Sequence, residues 1–111
     1  MKVGEIVAAL NLKVAAGAQG LDREITGGYA SDLLSCVMAR AAAGNVWVTL
    51  QAHPNVVAVA DLIDLGCVII TENTEPNPDT LIRADEHGIP ILLSAEPTYE
   101  TVAQLVALGI T

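Results

Sequence analysis

The sequence predicts an α/β fold, a three-layer α/β/α arrangement around a mostly parallel central sheet. Three observations predict it. From residue 31 onward, helical stripes and short apolar runs alternate as α-β-α-β-α-β-α, the pattern of strands joined by crossover helices. Cys67-Val68-Ile69-Ile70-Thr71 is apolar on both faces, as a strand in the middle of a parallel sheet must be. Gly44, Gly66, Gly88 and Gly109 recur as stops between these segments. Right-handed crossovers are expected to place helices on both faces of the sheet.

The elements follow in chain order. Ile6, Val7 and Leu10 predict a first helix over residues 3–10. Leu12–Ala15 reads as a short strand or extended link, and Ala16–Gly20 as a Gly-rich turn. Asp22–Gly28 has Ile25 as its only large apolar residue and reads as a polar strand end or loop. Ser31 is the expected cap of the next helix, with Asp32 in its first turn, where a carboxylate suits the helix dipole. Leu33, Leu34, Val37, Met38 and Ala41 carry that helix toward Gly44. Val46–Leu50, β-branched and aromatic, is a strand. Asn55 is the expected cap of a helix striped by Val56, Val59, Ala60 and Ile63. Pro78-Asp79 opens another helix, which ends at Gly88; Ile89–Ser94 is a strand; Pro97-Thr98 opens the last helix, carrying Val102, Leu105, Val106 and Leu108.

A length of 111 residues predicts one domain, residues 1–111. Hydrophobic residues make up 52% and charged residues 16%, a balance that excludes disorder and a coiled coil. A net charge of −8 and 3% aromatic residues argue against nucleic acid and anionic membrane surfaces as partners, since both select Lys/Arg patches. No apolar run approaches the length of a bilayer span. The opening Met1-Lys2-Val3-Gly4-Glu5 is unlike a signal peptide, so the cytoplasm is the expected compartment. Cys36 and Cys67, 31 residues apart in apolar segments and in no CxxC pattern, read as reduced buried thiols.

Ligands in parallel sheets bind outside the carboxyl ends of the strands. The residues expected there are Thr49, Gln51, His53 and Asn55, then Thr71 and Glu72, then Ser94. If Val46–His53 stays extended, period two sets Thr49, Gln51 and His53 on one side, and the three strand ends converge on one polar rim. His53 has two readings, a base or ligand donor and a residue that hydrogen-bonds a neighbouring loop; Pro54 biases it toward extended backbone. His87, at a helix carboxyl terminus, complements the dipole. Glu72, Glu75 and His53 lack metal-ligand spacing, and no HExxH or GxSxG occurs. No metal or cofactor is expected. Thr26-Gly27-Gly28 invites a phosphate-cradle reading, but it lacks the P-loop lysine and Asp32 opposes a phosphate nearby; the alternative is a tight bend with close packing. Arg23 has a comparable pair of readings: an orienter of Asp22, Asp32 or a bound carboxylate, or a structural ion pair.

The run Asp22-Arg23-Glu24-Ile25-Thr26-Gly27-Gly28-Tyr29, with Ser31-Asp32-Leu33-Leu34-Ser35, Val37-Met38, Val46-Trp47-Val48-Thr49, Gln51 and His53-Pro54-Asn55, resembles the DRTGG domain family. Glu24-Ile25 stands between Arg23 and Thr26, a departure from the family's name. The resemblance marks Asp22, Arg23, Thr26, Gly27, Gly28, Ser31 and Asp32 as motif residues. It implies a fold similar to the N-terminal domains of HPr kinase/phosphorylase and of Mur ligases, and the role of an accessory module, as beside CBS domains in a class of pyrophosphatases. It assigns no catalytic residue. The function expected is that of a non-enzymatic regulatory or ligand-sensing domain acting as a homodimer. The alternatives are a protein-interaction adaptor, in a hydrogenase or other redox system, and a small-molecule or nucleotide-binding domain. An enzyme with His53 as base ranks last.

Overall fold

The computed structural model describes residues 1–111. Its elements are α1 (Val3–Leu10), β1 (Lys13–Ala16), β2 (Gly27–Ala30), α2 (Leu34–Arg40), β3 (Asn45–Thr49), α3 (Asn55–Leu62), β4 (Cys67–Ile70), α4 (Pro78–His87), β5 (Ile91–Leu93) and α5 (Thr98–Ala107), with a 3₁₀ turn at Ala18–Gly20. The five strands form one sheet in the order β1-β5-β4-β3-β2. β2, β3, β4 and β5 are parallel, and β1 joins β5 antiparallel. The α/β, mostly parallel architecture is thus as the sequence predicts.

Period two along each strand divides the core into two. Trp47, Val68, Ile70 and Ile91 pack with Val37, Val56, Val57, Val59, Ala60 and Ala84 from α2, α3 and α4. Val46, Val48, Cys67, Ile69 and Leu92 pack on the other face with Val3 and Ile6 of α1 and Leu105 of α5. Burying each large side chain contributes about 1.5–3 kcal/mol relative to exposure, so both layers contribute to holding the sheet together.

Helices cover both faces of the sheet, as expected, but the crossovers supply only one of the two layers. The parallel strands lie in the sheet in their chain order, so successive right-handed crossovers all fall on the same face. That face carries α2, α3 and α4, while α1 and α5, which cross over nothing, cover the other. Among the parallel strands the sheet therefore has no point where the winding reverses, the place where doubly wound folds open a crevice.

Three local expectations also change. Of Asp22–Gly28, read as a polar strand end or loop, Gly27 and Gly28 open a strand that continues to Ala30 and whose partners run from Asn45 to Val48. α2 begins at Leu34, with Leu33 at its cap position, rather than being capped by Ser31 with Asp32 in its first turn, and it ends at Arg40 rather than Gly44. Asp32 is drawn instead to β3, where its carboxylate serves Thr49 and Leu50. Asn55 is the first residue of α3 rather than its cap, the cap position being Pro54. There the His53 Nδ1 accepts the Asn55 amide at 3.1 Å, satisfying one of the donors a helix start leaves open.

Candidate functional site at the strand ends

The carboxyl ends of β2, β3, β4 and β5 lie on one side of the sheet because these strands are parallel. Their polar residues form two braced groups rather than one convergent rim. At β2 and β3, Asp32 Oδ1 accepts hydrogen bonds from Thr49 Oγ1 at 2.9 Å and from the Leu50 amide at 2.7 Å. Gln51 returns the contact, its Nε2 donating to the Asp32 carbonyl at 2.9 Å. The Gln51 amide donates to Thr49 Oγ1 at 3.0 Å. β3 ends at Thr49, so the chain turns before His53. His53 and Asn55 belong to the start of α3, and no hydrogen bond links either to Thr49 or Gln51.

The second group joins β4, β5 and α5. The Thr71 and Thr98 hydroxyls share a hydrogen bond of 2.6 Å, and Ser94 Oγ lies 3.2 Å from Thr101 Oγ1. The Glu72 carboxylate accepts the Thr98 amide at 3.4 Å, where a negative charge suits the positive end of α5. Glu72 and Asn73 both have positive φ, 60° and 57°, and the Thr74 amide closes the turn onto the Thr71 carbonyl at 3.2 Å. Glu100, in the first turn of α5, has its pKa raised above the usual carboxylate value, chiefly by hydrogen bonding with the Glu96 carboxyl on protonation and then by desolvation and the Glu96 charge.

Thr49, Thr71 and Ser94 are buried, while His53, Asn55 and Glu72 are exposed and Gln51 is half-buried. The hydroxyls therefore brace the loops, and the long side chains face outward. Sequence reasoning missed that α5 contributes Thr98 and Thr101 to this end of the sheet. It also missed Lys13, which antiparallel pairing places opposite Leu93 at the same end. The polar Thr98-Tyr99-Glu100-Thr101 run beside strand-ending Ser94 was the available signal; the position of Lys13 follows only from the pairing of β1 with β5.

The other motif residues lie at the opposite end of the sheet. Arg23 Nη1 donates to the Leu65 carbonyl at 2.9 Å and lies 3.7 Å from Asp64 Oδ1, so it pairs with neither Asp22 nor Asp32. Asp22 is exposed. Thr26 Oγ1 donates to the Ala43 carbonyl at 2.8 Å and accepts from Asn45 Nδ2 at 3.2 Å. Gly27 and Gly28 are extended in β2, not folded into an anion-cradling loop or a tight bend. The close packing expected of Gly27 is present: a Cβ there would lie 3.0 Å from the Thr111 carbonyl oxygen. Ser31 sits at the strand-end side, its Oγ accepting the Leu33 amide at 3.1 Å. His87, at the end of α4, has its Nδ1 3.5 Å from Asp61 Oδ2. Three or more His, Cys, Asp or Glu side chains nowhere converge as a metal would require.

With this geometry in view, comparison with known proteins identifies the chain: the DRTGG domain matches residues 5–108, and the chain belongs to that family. No curated protein sequence matches it. Among solved structures it is similar to the CBS and DRTGG domains of the regulatory region of Clostridium perfringens pyrophosphatase, complexed with its activator diadenosine tetraphosphate. That likeness has a TM-score of 0.76 at 10% identity and covers 95% of this chain. The chain spans 46% of that structure's length. No helix of the chain is long and apolar enough to cross a membrane.

Proposed function

We propose that this chain is a non-catalytic regulatory domain that binds a small polar molecule at the carboxyl ends of β2 and β3 and works as a homodimer. One observation carries the reading. Asp32 and Gln51 clasp each other's loops through Oδ1, Nε2 and the Asp32 carbonyl, which leaves Asp32 Oδ2 and Gln51 Oε1 as fixed acceptors at an exposed surface. Recognition groups held by their own hydrogen bonds lose little freedom on binding. His53, with Nδ1 occupied by the Asn55 amide and no carboxylate bonded to it, lacks the oriented partner a general base uses, which supports the reading of it as a ligand contact. Family membership and the regulatory setting of the pyrophosphatase domains support the same role.

The charge at this end selects the ligand class. Asp32, Glu72, Glu96 and Glu100 stand there against Lys13 alone. A neutral or cationic molecule rich in donors fits this surface better than a bare polyphosphate, which meets its own charge. A thermal-unfolding panel of amino acids, polyamines, nucleotides and divalent cations, run at two protein concentrations, tests the proposal. A member present at about 100 times its Kd adds about 2.7 kcal/mol of stability. Tm is expected to rise with such a member and with protein concentration, and the ligand effect to be lost in Asp32→Asn and Gln51→Ala. A Tm that responds to neither variable contradicts it.

A further inference from the structure

The Asp32–Gln51 clasp has a charged side and an apolar side. On the charged side, Thr49 Oγ1 and the Leu50 amide both donate to Asp32 Oδ1, which leaves Oδ2 unbonded. Asp32 takes part in none of the chain's ion pairs. Lys13 is the cation at this end of the sheet, but β1 lies three strand positions from β3, about 14 Å at ordinary strand spacing. Salt screens most of its charge over that distance. On the apolar side are two leucines. Leu33 follows Asp32 in the chain and is 64% exposed; Leu50, whose amide is bonded to Asp32, is 40% exposed. Single exposed leucines are ordinary on a protein surface. Here two of them adjoin one fixed carboxylate whose charge no side chain balances.

From this juxtaposition we infer that the clasp takes an organic ammonium ion with an apolar substituent, the chemistry of a protonated aliphatic monoamine. The inference rests on the small-molecule reading above and names its ligand class. The ammonium group donates to Asp32 Oδ2 and Gln51 Oε1, the two acceptors that the clasp holds in place. A hydrogen bond between charged partners is shorter and stronger than a neutral one. The alkyl chain lies against Leu33 and Leu50 and takes apolar surface out of water. Each rival class loses one of these contributions. A diamine sets its second charge over the leucines. A neutral amide leaves the carboxylate's charge unmatched. A nucleotide or a carboxylic acid brings like charge to Asp32.

A titration of the ¹⁵N-labelled full chain with methylamine, n-butylamine, putrescine and n-butanol, read at the Leu50 and Gln51 amides, tests the inference. Each buried methylene is worth about fourfold in affinity. With its chain only partly covered, n-butylamine is therefore expected to bind at least about tenfold more tightly than methylamine. It is also expected to bind more tightly than putrescine, and n-butanol is expected to show no saturable shift. Leu33→Ser and Leu50→Ser each remove one apolar contact and are expected to reduce the ratio of n-butylamine to methylamine affinity by at least about threefold. Both leucines are exposed, and a serine suits the cap position that Leu33 holds. Equal affinity for methylamine and n-butylamine, or binding of putrescine or n-butanol as tight as that of n-butylamine, overturns the ligand class and leaves the binding site standing. So does a series that shifts neither amide while an amino acid, a nucleotide or a divalent cation shifts both. If none of these compounds shifts them, the binding-site reading falls with the inference. Should either variant not fold, the wild-type comparison of methylamine with n-butylamine decides alone.

Discussion

Asp32 does two jobs with one side chain. Its Oδ1 accepts the Thr49 hydroxyl and the Leu50 amide, and by turning toward β3 it leaves the start of α2 to Leu33. Removing it frees the turn after β3 and strands the buried Thr49 hydroxyl. Asp32→Ala is therefore expected to cost about 1–3 kcal/mol, read as a lower urea midpoint with an unchanged slope. Cys67 makes the complementary case. It is fully buried, and burial raises its thiol from 9.0 to about 12, with Arg23 opposing weakly. The unfolded chain releases this proton near the ordinary value while the folded chain keeps it, so stability falls as pH rises from 9.0 toward 12. Urea midpoints measured across that range are expected to decline, and to decline less in Cys67→Val. The sequence marked both residues, Asp32 as a carboxylate in the first turn of a helix and Cys67 as a buried thiol. It could not reveal that Asp32 braces the segment after β3 rather than starting a helix, because two donors to one carboxylate, many residues away in the chain, depend on how β2 and β3 pair.

At the scale of elements, what was legible is what burial dictates. β4 is buried at every position, and its four apolar residues could be no other element in this setting. α4 is bounded by Pro78 and Gly88, the latter with φ 65°, and both stops are written in the sequence. β2 was not legible, because Gly27-Gly28-Tyr29-Ala30 has little intrinsic preference for a strand and extends only because β3 offers it hydrogen-bonding partners. The turn after β1 shows how tightly such junctions are set. Gly17 has φ +71°, its amide donates to Asp85 Oδ1 at 2.7 Å, and a Cβ there would overlap the backbone at Ile89. Gly17→Ala is expected to destabilise the fold by about 2–4 kcal/mol, since strain and overlap combine; chemical denaturation measures it directly.

Over the whole molecule, chain order and sheet order coincide for the parallel strands, and this decides where the candidate site lies. With no reversal of winding, no crevice opens between adjacent crossovers, and the strand-end residues must be positioned by cross-bracing instead. The braces are legible only in part: the sequence placed Thr49, Gln51, Thr71, Glu72 and Ser94 at this end, but their division into two groups depends on α5 returning over the sheet. The motif residues around Arg23 and Thr26 hold the opposite end together, which separates the family's most recognisable run from the proposed binding surface.

The central claim is that this domain binds a small polar molecule at the Asp32–Gln51 clasp. A titration of the ¹⁵N-labelled chain with the same panel of amino acids, polyamines, nucleotides and divalent cations, read by amide chemical shifts, tests it most directly. The account predicts that at least one member shifts Leu50, Gln51 and Asn55 together, saturably, while Arg23, Gly44 and Gly66 at the far end stay still. Shifts confined to that far end, or no saturable shift from any member, would contradict it.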